Sequence, residues 1–219
     1  MIFKIGLSEA ENRTSKQHRY LLAIAALVVI SLLSSLAGTP VQHDISNCWE
    51  GLIWGIADPV LGLNRLAPII AIGILSARFA SRRGISVSFV LAALCGQLMY
   101  LSQVNLPGAE IAIAISTIVL GAVLVTSTPL DWRAIALLSI ATGLFQGYAG
   151  GESIPNLEML SLIAYIFGVT LTQSVIIISA RQMGNMNQGD INQMLPKKIR
   201  FAGAGFCAIG IVFLGNAFI

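Results

Sequence analysis

Three short clusters hold the polar side chains whose types and spacing bear on chemistry. The first is Asp58-Pro59-Val60-Leu61-Gly62-Leu63-Asn64-Arg65. Pro59 and Gly62 together break or start a helix. Asp58 and Arg65 are seven residues apart, which puts them on one face of a continuous helix. Arg65 lies within an apolar stretch, where an ionised group costs at least ~2.5 kcal/mol unless it is paired or wetted. A salt bridge to Asp58, or to Glu110 on the next hairpin, offsets part of that cost. Two roles are open to Arg65: an internal ion pair that pins two helices, or a substrate-binding or gating charge.

The second cluster is Phe145-Gln146-Gly147-Tyr148-Ala149-Gly150-Gly151-Glu152. Gly147, Gly150 and Gly151 allow close backbone approach or a re-entrant turn, and Gln146 and Glu152 supply polar oxygen. The third is Thr170-Leu171-Thr172-Gln173-Ser174. Hydroxyls in such a segment bond back to their own helix or join helices, while Gln173 is the residue suited to line a cavity. Of the histidines, His18 falls in a basic leader and His43 in a loop beside Asp44; Cys48, Cys95 and Cys207 have no metal-site or redox spacing. Cys95 and Cys207 read as small apolar side chains packed in helices. No nucleophile–base pair, phosphate loop or cofactor motif is present, so neither enzyme activity nor a cofactor is expected.

The elements that must position these clusters are membrane helices. The 219 residues are 56% apolar and 11% charged, with a mean hydropathy of +0.81; a typical soluble domain is ~45–50% apolar and ~25% charged. That balance excludes a soluble enzyme, a disordered tail and a nucleic-acid binder, and makes the lipid bilayer the first partner. Crossing ~30 Å of hydrocarbon takes ~20 mostly apolar residues in a helix, which satisfies its backbone groups internally. Seven segments qualify: Tyr20–Ala37, Val60–Ala77, Ile85–Leu101, Pro107–Val125, Trp132–Tyr148, Met159–Ala180 and Ile199–Phe218. The expected fold is an all-α, polytopic helical bundle.

Charge orients it. Lys4, Arg13, Lys16, Arg19, Arg78, Arg82, Arg83, Arg133, Arg181, Lys197, Lys198 and Arg200 all fall on one side if the spans alternate, and the opposite loops, about 38–50, 102–106 and 149–158, carry no Lys or Arg. The positive-inside rule then places the N-terminus in the cytoplasm. Residues 1–19 read as a cytoplasmic basic leader, 20–37 as a first transmembrane anchor or a signal-like segment ending Ser35-Leu36-Ala37, and 182–198 as a polar cytoplasmic loop. Small residues at Gly143, Gly147, Gly150 and Gly151, and at Gly203, Gly205 and Gly210, offer faces for docking neighbouring helices.

From about Gly51 to Ile219 the chain resembles the HupE/UreJ family of small membrane proteins, which are associated with nickel or cobalt uptake and with supplying hydrogenase and urease metallocentres. The family's His-Pro-x-x-Gly-x-Asp-His motif lines up with Asp58 to Arg65: Pro59 and Gly62 match, while Asp58, Asn64 and Arg65 replace its His, Asp and His. Its Pro-Gly-x-Glu is kept as Pro107-Gly108-Ala109-Glu110. Its His-Gly-x-Ala-His-Gly aligns with Gln146 to Gly151, with both histidines replaced, and a further His corresponds to Gln173. The resemblance implies a six-helix core over 51–219 behind the N-terminal anchor.

Nickel and cobalt favour imidazole nitrogen, and a guanidinium, which stays protonated, repels a divalent ion. Three functions are therefore weighed. The first is a non-transporting membrane subunit or assembly factor, with Asp58 and Arg65 as an internal pair and other membrane proteins as partners. The second is a permease of altered specificity, and the third a nickel or cobalt permease with non-standard ligands. The bacterial plasma membrane and an internal photosynthetic membrane both suit the chain.

Overall fold

The computed structural model describes residues 2–37, 45–77, 84–126, 131–152, 158–186 and 197–218. Among them are eight helices and no strand: α1 (Ile2–Ala37), α2 (Cys48–Leu61), α3 (Leu63–Ala77), α4 (Gly84–Leu101), α5 (Ala109–Thr126), α6 (Trp132–Glu152), α7 (Met159–Met186) and α8 (Lys197–Asn216). The protein is a polytopic helical bundle. Five helices, α4 to α8, are each long and apolar enough to cross a membrane, and the number rises to six where the bent pair α2–α3 is counted as one span. The seventh segment expected from the sequence is the apolar end of α1, Leu22–Ala37, which is shorter.

The segment Val60–Ala77, expected as one helix, is not continuous: α2 and α3 meet at 76°. Gly62 is the break, with an extended backbone (φ −111°, ψ 122°). Pro59 does not end α2, which runs on to Leu61; it withholds one backbone donor in the last turn. The start of α2 is capped by Asn47, whose side chain accepts the Glu50 N–H at 2.9 Å, while Glu50 reaches back to the N–H and hydroxyl of Ser46, both at 2.8 Å. Helix α7 continues to Met186, into the segment expected as a loop, and α6 continues to Glu152. Arg78, Arg82 and Arg83, the turn at 128–130 and His43 with Asp44 lie outside the described residues.

Helix α3 is the hub. It touches every other helix, and from Leu66 to Ala77 all of it is buried. Over that stretch its apolar circumference faces protein rather than lipid. Ile69, Ile72 and Leu75 pack with Phe89 of α4, Leu120 and Leu124 of α5, Ile135 of α6 and Ile176 of α7. The outer helices turn Leu91, Ile115, Phe167, Ile178, Phe201 and Val212 outward, as a lipid-facing surface requires.

Three close pairings surround the hub: α2 on α7, α4 on α6 and α5 on α8. Small residues allow them, since van der Waals contact drives helix association in lipid. A Cβ on Gly147 would overlap the Ala93 carbonyl oxygen, and one on Gly151 would lie 2.7 Å from the Tyr100 ring. Gly203 and Gly210 stand in the same relation to α5, but Gly205 has open space beside it and docks no described helix. Cys95 is not packed inside either; it is exposed on α4, and only Cys207 is half-buried.

Candidate functional site

The bend at Gly62 brings the first cluster into the bundle interior. The carboxylate of Asp58, near the end of α2, forms an ion pair with the guanidinium of Arg65, in the first turn of α3. The two therefore meet across a broken helix, not along one face of a continuous one. The second guanidinium nitrogen, Nη2, donates to the Ala149 carbonyl of α6 at 3.1 Å. From α7, the fully buried Tyr165 hydroxyl donates to Asp58 Oδ2 at 2.8 Å and lies 3.4 Å from the Gly150 carbonyl oxygen. Gln146 of α6 donates its amide N–H to the backbone carbonyl of Arg65.

Breaking a helix frees backbone groups, and several of those find partners here. Gly62 accepts from the N–H of Arg65 at 3.0 Å and of Leu66 at 2.9 Å. The Leu63 N–H donates at 3.2 Å to the hydroxyl of Ser35, in α1. The Thr170 and Ser174 hydroxyls of the third cluster bond back to the Ile166 and Thr170 carbonyls at 2.7 Å. Gln173 instead faces the site.

A cavity of about 10 Å³ lies at this centre. Asp58 and Arg65 form one side, and the amides of Gln97, Gln146 and Gln173 reach it from α4, α6 and α7. Pro59, Gly150 and Val169 complete its wall. Of the residues singled out from the sequence, the structure thus brings together Asp58, Arg65, Gln146 and Gln173, with Pro59 and Gly150. Asn64, Glu110 and Glu152 do not line the cavity. Glu110 is exposed at the start of α5, behind Pro107 and the left-handed Gly108 (φ +79°), and Glu152 ends α6.

Sequence reasoning passed over Gln97, Tyr165 and Ser35. A buried amide in an apolar helix was a legible signal for Gln97, because such groups in spans seek partners. Tyr165 and Ser35 carried no comparable mark.

Chemically, the centre holds an anion, a cation, a phenol and three primary amides. Among the described residues, no three His, Cys, Asp or Glu side chains come together as a metal-holding group.

A bundle of apolar helices folded around a buried polar centre defines a multi-pass integral membrane protein. The chain matches the family described as HupE / UreJ protein over residues 21–213, and it belongs to that family. A relative, Protein HupE of Rhizobium leguminosarum bv. viciae, is 20% identical over 189 residues, which cover 85% of this chain and 96% of that protein. No solved structure matches the chain.

Proposed function

We propose that this family member is a non-transporting membrane subunit or assembly factor of a larger membrane complex, with its polar centre held shut. One observation carries the reading: the Asp58–Arg65 ion pair, tied to α6 through Ala149 and to α7 through Tyr165. A permeant cation would have to displace a tethered guanidinium from the carboxylate. Removing one partner of such a pair leaves an uncompensated charge in low dielectric, which costs about 3–5 kcal/mol. The donor set argues the same way. Carboxylate, phenol and amide oxygens suit hard cations, whereas nickel and cobalt draw on imidazole.

The test combines two measurements. Native purification in mild detergent is expected to recover the chain with other membrane proteins, and deleting its gene is expected to leave cellular uptake of radioactive nickel and cobalt unchanged. Recovery only as a free monomer or self-dimer, or uptake that falls on deletion, overturns the proposal.

A permease is the second reading, and the break at Gly62 favours it. Discontinuous helices at a buried polar site are how transporters present groups to a substrate. Under this reading Arg65 binds an anion or guards the path, and Arg65→Ala abolishes an uptake that the unaltered chain supports. Nickel or cobalt would be the cargo only if uptake of those ions followed the gene.

A further inference from the structure

Two amides inside the bundle are orphaned in complementary ways. Gln97 and Gln146 are 2% and 3% exposed, and both line the cavity at the helix break. The Gln97 Nε2 group and the Gln146 Oε1 atom are buried without a hydrogen-bond partner among the described residues. One is a donor and the other an acceptor. The Gln146 orientation is fixed by its neighbour: its Nε2 donates to the Arg65 carbonyl, and turning the amide over would set two oxygens against each other. Its Oε1 is therefore the atom left over. Gln97 reaches α6 beside Gly150, where a Cβ would come within 3.5 Å of Nε2.

Size and charge narrow what fits between them. About 10 Å³ is the room one water-sized molecule takes, and such a molecule is held by two to four polar partners. Asp58 and Arg65 neutralise each other, so the cavity presents no net charge to an ion. We propose that this is a binding site for one neutral, water-sized molecule that accepts a hydrogen bond from Gln97 and donates one to Gln146. It bridges α4 to α6 at the level of the helix break, and the site is closed to ions. Only the exclusion of ions rests on the closed-centre reading above; the bridge does not. Water is the occupant of this chemistry in the resting protein, and Gln173 offers it a third amide from α7.

The full chain in lipid nanodiscs, labelled with 15N-glutamine, tests this by magnetisation transfer from water to side-chain amides. A long-lived water cross-peak is expected on the Gln97 NH2, assigned by its disappearance in Gln97→Asn and Gln97→Met. Titration with nickel, cobalt or sodium ions is expected to leave the Gln97 and Gln146 resonances in place. A folded sample without the cross-peak, or with direct coupling across a Gln97–Gln146 hydrogen bond, overturns the bridge. A saturable shift caused by any of the three cations overturns the exclusion of ions. Should both variants fail to fold, selective labelling of the unaltered chain assigns the same peaks and decides the matter. Co-purification and uptake, which test the proposed function, are read separately from these resonances.

Discussion

Tyr165 and Arg65 share one oxygen atom. The Tyr165 phenol donates to Asp58 Oδ2 at 2.8 Å, and Arg65 Nη1 binds the same atom from another helix. Helices α2, α3 and α7 thus converge on a single carboxylate. Tyr165→Phe keeps the ring and removes one charge-assisted hydrogen bond, which is worth about 1.5–3 kcal/mol. Unfolding in detergent is expected to shift by that amount, and an unchanged midpoint would show that the phenol adds nothing to the pair.

The pair itself is expected to be strongly non-additive. Arg65→Ala or Asp58→Ala leaves its partner charge buried and costs about 3–5 kcal/mol, whereas replacing both charges with apolar side chains of similar volume is close to neutral. The measurement is a double-mutant cycle on unfolding built from Asp58→Leu, Arg65→Met and the two combined. Additive losses would mean that the two charges act through other groups.

Ser35 acts as a helix cap from a neighbouring helix. Its hydroxyl accepts the Leu63 N–H, as an N-cap side chain does within its own helix. Ser35→Ala is expected to cost about 0.5–2 kcal/mol. Hydrogen exchange in the first turn of α3 should rise before exchange elsewhere. Equal protection in variant and unaltered protein would count against the capping role.

Glycines on two helices should respond in opposite ways. Gly147→Ala drives a methyl group into the Ala93 carbonyl of α4, and such overpacking costs about 1–3 kcal/mol. Gly205→Ala meets open space and adds helix propensity worth up to about 1 kcal/mol. Thermal aggregation in detergent, followed by gel filtration, should therefore move to lower temperature for the first and stay or rise for the second.

The membrane bundle was legible because composition alone decides it: apolar stretches near span length have one backbone solution in lipid. Arg65 was legible too, since a guanidinium in an apolar stretch demands a counter-charge, and Asp58 stands nearest in sequence. What the pattern could not reveal was the bend. Pro59 and Gly62 announce a weak point, but its angle depends on how α7 packs along both halves. The apolar circumference of α3 looks the same whether its neighbours are lipid or protein. Asn64 and Arg65 are adjacent, and adjacent helical residues point about 100° apart, so only one of them faces the cavity. Glu110 and Glu152 stand at helix ends, where charge needs no internal partner. Tyr165 was hidden by its own chemistry: a tyrosine in a span passes for an apolar ring until its hydroxyl is seen to find Asp58.

The enclosure of α3 also constrains how the chain is made. Synthesis proceeds from the N-terminus, yet five of the helices that surround α3, from α4 to α8, are translated after it. On leaving the ribosome, a short helix with a charged arginine at its head has only α1 and α2 for company. Ser35 and Asp58, both already translated, supply the contacts that can shelter that head until the rest of the bundle closes over it. A chain arrested before α7 lacks Tyr165 and the helix that packs most extensively on α3, and membrane quality-control proteases would meet an open polar seam.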